Sequence, residues 1–85
     1  GRSLDPTEDL RAATARWIKE QLRPLDLEAS DAALYEDFLT AAEPALLETI
    51  LTQVGNNRTA AARLLGLHRA TLRQKLQNYG LPRET

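Results

Sequence analysis

The chain has no cysteine, and it has a single histidine and little aromatic content, 5% of 85 residues. Without cysteine there is no disulfide and no thiolate metal site, and one histidine does not make a metal site alone. No metal or other cofactor is therefore expected, and the missing cysteines fit a reducing cytoplasm. No apolar run approaches the length of a membrane span, and nothing resembles a signal peptide. No Gly-rich phosphate loop appears. The lone His68 has no nucleophile or orienting partner at motif spacing, so an enzyme is not expected. Internal repeats and low-complexity segments are also missing.

What is present is an uneven distribution of charge. The net charge is −1, with 11 Lys and Arg against 12 Asp and Glu. Residues 57–85 hold six of the cations and only Glu84 among the acids, +5 against −6 for residues 1–56. A basic block on an acidic body is the electrostatic footprint of phosphate binding, because local potential steers a polyanion.

The apolar and breaker residues predict four helices and little or no sheet. Asp5 caps the first, Pro6 suits its first position, and Glu8 is placed to reach back as in a capping box. Leu10, Ala13, Trp17 and Gln21 follow one line of that helix, widened by Ile18 and Leu22. Pro24 should stop it and force residue 23 out of helical geometry. Residues 24–30 read as a connector. Ser30 or Asp31 caps a long second segment reaching Val54, with Leu34, Phe38, Ala41, Ala45, Leu46, Ile50 and Val54 as its apolar positions. Pro44 lies inside it, so the helix either kinks near Thr40 or breaks and restarts; the uninterrupted apolar stripe favours the kink.

Residues 56–81 carry the functional signal. A short Ala-rich helix capped by Asn57 leads to a turn at Gly66, then to a second helix rich in Arg and Lys: the pattern of a DNA-binding helix-turn-helix. Ala61 and Ala62 sit where two helices must cross closely. Gly66 can take the positive φ that ends the first helix, and Leu65 and Leu67 bracket the turn. Leu72, Leu76 and Tyr79 recur on one helix face. Arg69, Arg73 and Lys75, with Thr71, Gln74 and Asn78, are assigned to the opposite face. The apolar stripes of the first two helices exceed what a short helix-turn-helix can cover, which predicts a self-complementary dimer; a compact monomeric four-helix core is the alternative.

Residues 34–81 resemble the Fis family, in particular the C-terminal Fis-type domain of NtrC-type bacterial transcription activators. The matching stretches are Leu34-Tyr35-Glu36, Leu46-Leu47-Glu48, Asn57-Arg58-Thr59, Ala61-Ala62-Arg63-Leu64-Leu65-Gly66, Arg69, Thr71-Leu72-Arg73, Lys75-Leu76 and Tyr79-Gly80-Leu81. Residues 1–33 match only loosely. Pro44 stands one position before the proline usual in the family. Asn56 stands where glycine is common, and His68 where asparagine is frequent.

The resemblance implies an all-α, four-helix domain and a homodimer whose first two helices interlock. Residues 5–54 would form the dimer body, with Trp17, Leu34, Phe38, Leu46 and Ile50 in it. Residues 55–81 would bind double-stranded DNA, residues 82–85 would be a tail, and residues 1–4 a disordered or cloning remnant. In NtrC-type activators a separate ATPase domain acts on RNA polymerase carrying the alternative sigma factor, whereas Fis itself is a stand-alone nucleoid protein that bends DNA. The low net charge fits the activator setting. A third reading, from another class, is a protein-interaction or dimerisation module whose basic helix binds an acidic partner.

On this reading Arg69 opens the recognition helix and reaches guanine O6 and N7, and Arg73 reaches a base edge or phosphate. Thr71 and Lys75 contact the DNA backbone, and Gln74 is a weaker candidate. Asn57, Arg58 and Thr59 open the preceding helix, where backbone N–H groups favour a phosphate. His68 caps the recognition helix, touches a base or contacts phosphate.

Overall fold

A computed structural model describes residues 5–25 and 33–82. It contains four helices, α1 (Pro6–Leu22), α2 (Leu34–Gln53), α3 (Arg58–Leu65) and α4 (Arg69–Tyr79), and no strand among the described residues. The described residues up to Phe38 and those from Leu39 on form two units.

In the first unit, Asp5 caps α1 through its side chain, which accepts from the Thr7 N–H at 3.2 Å, and Pro6 takes the first helical position. Glu8 does not close a capping box. Its carboxylate instead accepts from Arg11 at 3.4 Å, because a cation one turn on offers a charged donor. Arg23 likewise departs from expectation: its φ of −56° and ψ of −44° remain helical, and its N–H still reaches the Lys19 carbonyl at 3.2 Å. The restriction that proline imposes on its predecessor is a bias, and here the extra helical bond offsets it. The chain leaves helix at Pro24, which has no N–H to continue the ladder. Trp17 and Phe38 meet edge to face, centroids 6.0 Å apart at 66°, an arrangement the aromatic quadrupole favours. No residue of α1 is buried, and Leu10 is 64% exposed. Ser30 and Asp31, the expected caps of α2, and the 1–4 and 83–85 ends lie outside the described residues, as does most of the connector.

Pro44 lies within α2, which is continuous from Leu34 to Gln53, so the helix does not break and restart. Its buried line, however, is not the one expected. Leu47 and Leu51 are buried, whereas Ala41, Ala45 and Leu46 are exposed, Leu46 at 51%. The chain offers two adjacent apolar lines on α2, and the one facing α3 and α4 is set by tertiary packing rather than by local pattern.

The second unit holds the core. Leu47 and Leu51 of α2 join Ala61 and Ala62 of α3, Leu72 and Leu76 of α4, and Leu81. Ile50, Val54, Leu65, Leu67 and Tyr79 pack around them. Burying each leucine contributes about 1.5–3 kcal/mol. The helix-turn-helix thus shares one core with the second half of α2, across the boundary drawn at residue 55.

Candidate nucleic-acid interface

Local chemistry sets the angle between α3 and α4. Asn57, in extended conformation, caps α3 by accepting from the Ala60 N–H at 3.0 Å. At the other end Gly66 has φ 74°, a left-handed geometry that costs a side-chain-bearing residue about 1–2 kcal/mol. Its N–H bonds to the Arg63 carbonyl at 3.3 Å, and the Leu67 N–H to the Ala62 carbonyl at 3.0 Å. This paired closure satisfies the last α3 carbonyls and drops Leu67 against the core. Gly55–Asn56 closes α2 and Gly80–Leu81 closes α4 by the same pair of bonds. Asn56 carries φ 65°, the left-handed conformation that asparagine tolerates better than most residues.

Ala61 is fully buried and Ala62 is 3% exposed, so α3 lies close against its neighbours. The close approach brings the N-terminal ends of α3 and α4 onto one open depression. Arg58 and Thr59 line it from α3, and His68, Arg69 and Arg73 from the start of α4. Each of these five side chains is exposed. Two helix N-termini that present free N–H groups beside three guanidinium groups make an anion-attracting surface. His68 occupies the cap position of α4 but makes no side-chain cap bond. Of the other expected residues, Asn57 is engaged as a cap, while Thr71, Gln74 and Lys75 lie on a second groove with Ala70 and Asn78. Gln74 donates to Asn78 at 3.2 Å.

Lys75 shares this groove with Thr71, Gln74 and Asn78 but is more buried than they are. It stands about 60° round the helix from Leu72, beside the packing face rather than opposite it. Its Nζ is 2.9 Å from Glu43 Oε2, while Glu43 Oε1 accepts from the Tyr79 hydroxyl at 2.7 Å. The Tyr79 hydrogen bond and then the Lys75 ammonium hold the Glu43 carboxyl below the usual carboxylate range. The same bond to Glu43 pushes the Tyr79 phenol up. Glu43 is not among the residues that the sequence pattern singles out. Its signal was there: Glu43, Leu47 and Leu51 are spaced by four, so this acid lies on the buried line of α2.

A core-supported helix-turn-helix with arginines at the open end of its second helix defines the class of the protein. The family model for bacterial regulatory proteins of the Fis family matches residues 38–79. A protein of Xylella fastidiosa (strain Temecula1) that bears the name Fis-like DNA-binding protein is 44% identical over 77 residues, covering 89% of this chain and 83% of the relative. A similarly named protein of Ralstonia nicotianae is 46% identical over 70 residues, covering 78% and 90%. DNA-binding protein Fis of Photobacterium profundum is 39% identical over 72 residues, covering 85% and 72%. The chain belongs to the Fis family, a family of regulatory proteins and not of enzymes. No helix among the described residues is long and apolar enough to cross a membrane.

Proposed function

We propose that the protein binds double-stranded DNA with sequence preference, as a Fis-like homodimer acting in the bacterial cytoplasm. The observation that carries this is the depression formed by Arg58, Thr59, His68, Arg69 and Arg73 at two adjoining helix ends. Arg69 and Arg73 enter the major groove with the first turn of α4. Arg58, Thr59 and the open N–H groups of α3, with Thr71 and Gln74, hold flanking phosphates. Leu46, half exposed on α2, and the unburied stripe of α1 support a dimer body that includes Trp17, Leu34, Phe38 and Ile50. Ile50 also packs against the subunit's own core, so its share in that interface is partial.

The relatives support a stand-alone Fis-like role. The matched region spans 83% of the Xylella protein, and the remainder is too short for an ATPase domain. Two recognition helices related by a twofold axis call for inverted half-sites, and in the Fis family the two helices are expected to lie too close for straight DNA, which calls for bending. An NtrC-type activator setting, with an ATPase domain acting on RNA polymerase, is the second reading. It is favoured by one observation, the −6 charge of residues 1–56. An ATPase domain encoded in the same reading frame decides for it.

The test is duplex binding as a function of salt, with sedimentation in parallel. A dimer of about twice 9.5 kDa should bind with an affinity that falls steeply with salt. Salt-independent binding, or none, would count against DNA as the partner. A folded monomer at all concentrations would count against the dimer. A site placed at different points along a fragment should alter its gel mobility; equal mobility everywhere would remove bending.

A further inference from the structure

Lys75 lines the same groove of α4 as Thr71 and Gln74, yet among the described residues it is the α4 cation that an acid holds. Arg69 and Arg73 are exposed, while the Lys75 side chain is 33% exposed and ends on Glu43, itself only 20% exposed. Both carboxylate oxygens are engaged, Oε2 by the ammonium at 2.9 Å and Oε1 by the Tyr79 hydroxyl at 2.7 Å. Lys75 and Tyr79 are one turn apart on α4, and Glu43 belongs to α2, so the contact clasps two helices at two points. Leu72 and Leu76 on α4 and Leu47 on α2 are buried in the adjoining core. Moving Lys75 out to a phosphate would leave a half-buried carboxylate with one neutral donor, which is costly.

We infer that Glu43 is a positioning residue for α4 and withholds Lys75 from the DNA, so that the arginines and not this lysine set the phosphate count and reading of the site. The inference rests on the DNA-binding reading proposed above. It assigns Lys75 a clasping role in place of the backbone contact expected from its sequence position. Glu43 thereby sets specificity indirectly, since a freed Lys75 adds affinity for any sequence alike.

The test compares salt slopes of duplex binding for the full chain. Lys75→Ala should leave the slope unchanged. Glu43→Gln should steepen it by about two units per dimer as the freed ammonium of each subunit reaches a phosphate, and should lower the ratio of specific to non-specific affinity. The double variant should return to the wild-type slope. A slope flattened by about two units per dimer in Lys75→Ala would overturn the inference, and so would a wild-type slope in Glu43→Gln. Lys75→Ala retains this power if Glu43→Gln fails to fold. A second arm needs no DNA: the Glu43 carboxyl, followed by NMR in the free protein, should titrate higher in Tyr79→Phe and in Lys75→Ala than in the wild type. An unshifted midpoint in both would remove the clasp. A wild type that binds no duplex yet shows these shifts would sink the DNA-binding reading and leave the clasp standing.

Discussion

The described residues up to Phe38 and those from Leu39 on are both largely helical, but only the second stretch buries leucines. Leu47, Leu51, Leu72, Leu76 and Leu81 are each 6% exposed or less, whereas α1 buries nothing and Leu10 is 64% exposed. The contrast separates two ways of using an amphipathic helix. In the second stretch the apolar line is spent within the subunit to fix a surface. In the first it stays open to solvent, and covering it is work for a second copy under the dimer proposal.

The sharpest way to break the comparison is to damage the core. Leu72→Ala should destabilise the fold by about 2–5 kcal/mol in denaturant unfolding, whereas Leu10→Ala in α1 should cost far less at concentrations where the chain is monomeric. Equal losses would mean that the first unit is as tightly packed as the second. Arg69→Ala tests the surface the core supports. It should leave helical circular dichroism intact and cost about 1–3 kcal/mol of discrimination between a selected site and random duplex. An unchanged ratio would remove Arg69 as a base reader.

Smaller effects test the turns and the clasp. Gly66→Ala should cost about 1–2 kcal/mol although its added methyl meets open space, because the penalty is one of backbone geometry. Thermal unfolding measures it, and no loss would mean that the turn relaxes to another conformation. Glu43 has its folded-state carboxyl below its ordinary value of 4.5. Its contribution to stability is therefore present above that value and lost as pH falls through the lower folded one. Acid unfolding of Glu43→Gln should accordingly lack part of the wild-type pH dependence in that window. Smallest of all, Arg11→Ala removes an exposed pair with Glu8 at 3.4 Å and should leave stability almost unchanged.

The legible parts were those whose cause is local. Asp5 and Pro6, Asn57, and Gly66 announce helix ends through capping chemistry that acts over a few residues, and each stands where expected. Of the nine residues expected to meet DNA, the turn brings Arg58, Thr59, His68, Arg69 and Arg73 onto one depression. Two things were not legible. The choice of Leu47 and Leu51 over Ala41, Ala45 and Leu46 depends on which side of α2 meets α3 and α4, and that is decided by tertiary packing. The pairing of Lys75 with Glu43 joins residues 32 positions apart in the chain, a distance that helical periodicity does not reach.

The three glycine-closed helix ends have a kinetic consequence. Each closure joins residues no more than five apart, as in Leu67 to Ala62 and Leu81 to Leu76. The chain therefore searches little before its turns are made, and helical domains built from such short-range closures fold in about microseconds to milliseconds. If the turn at Gly66 is already formed at the barrier, Gly66→Ala should slow refolding and leave the unfolding rate nearly untouched, while Leu81→Ala should mainly hasten unfolding. The bend between the two helices would then be an early event in the life of the chain, made before the core that it serves.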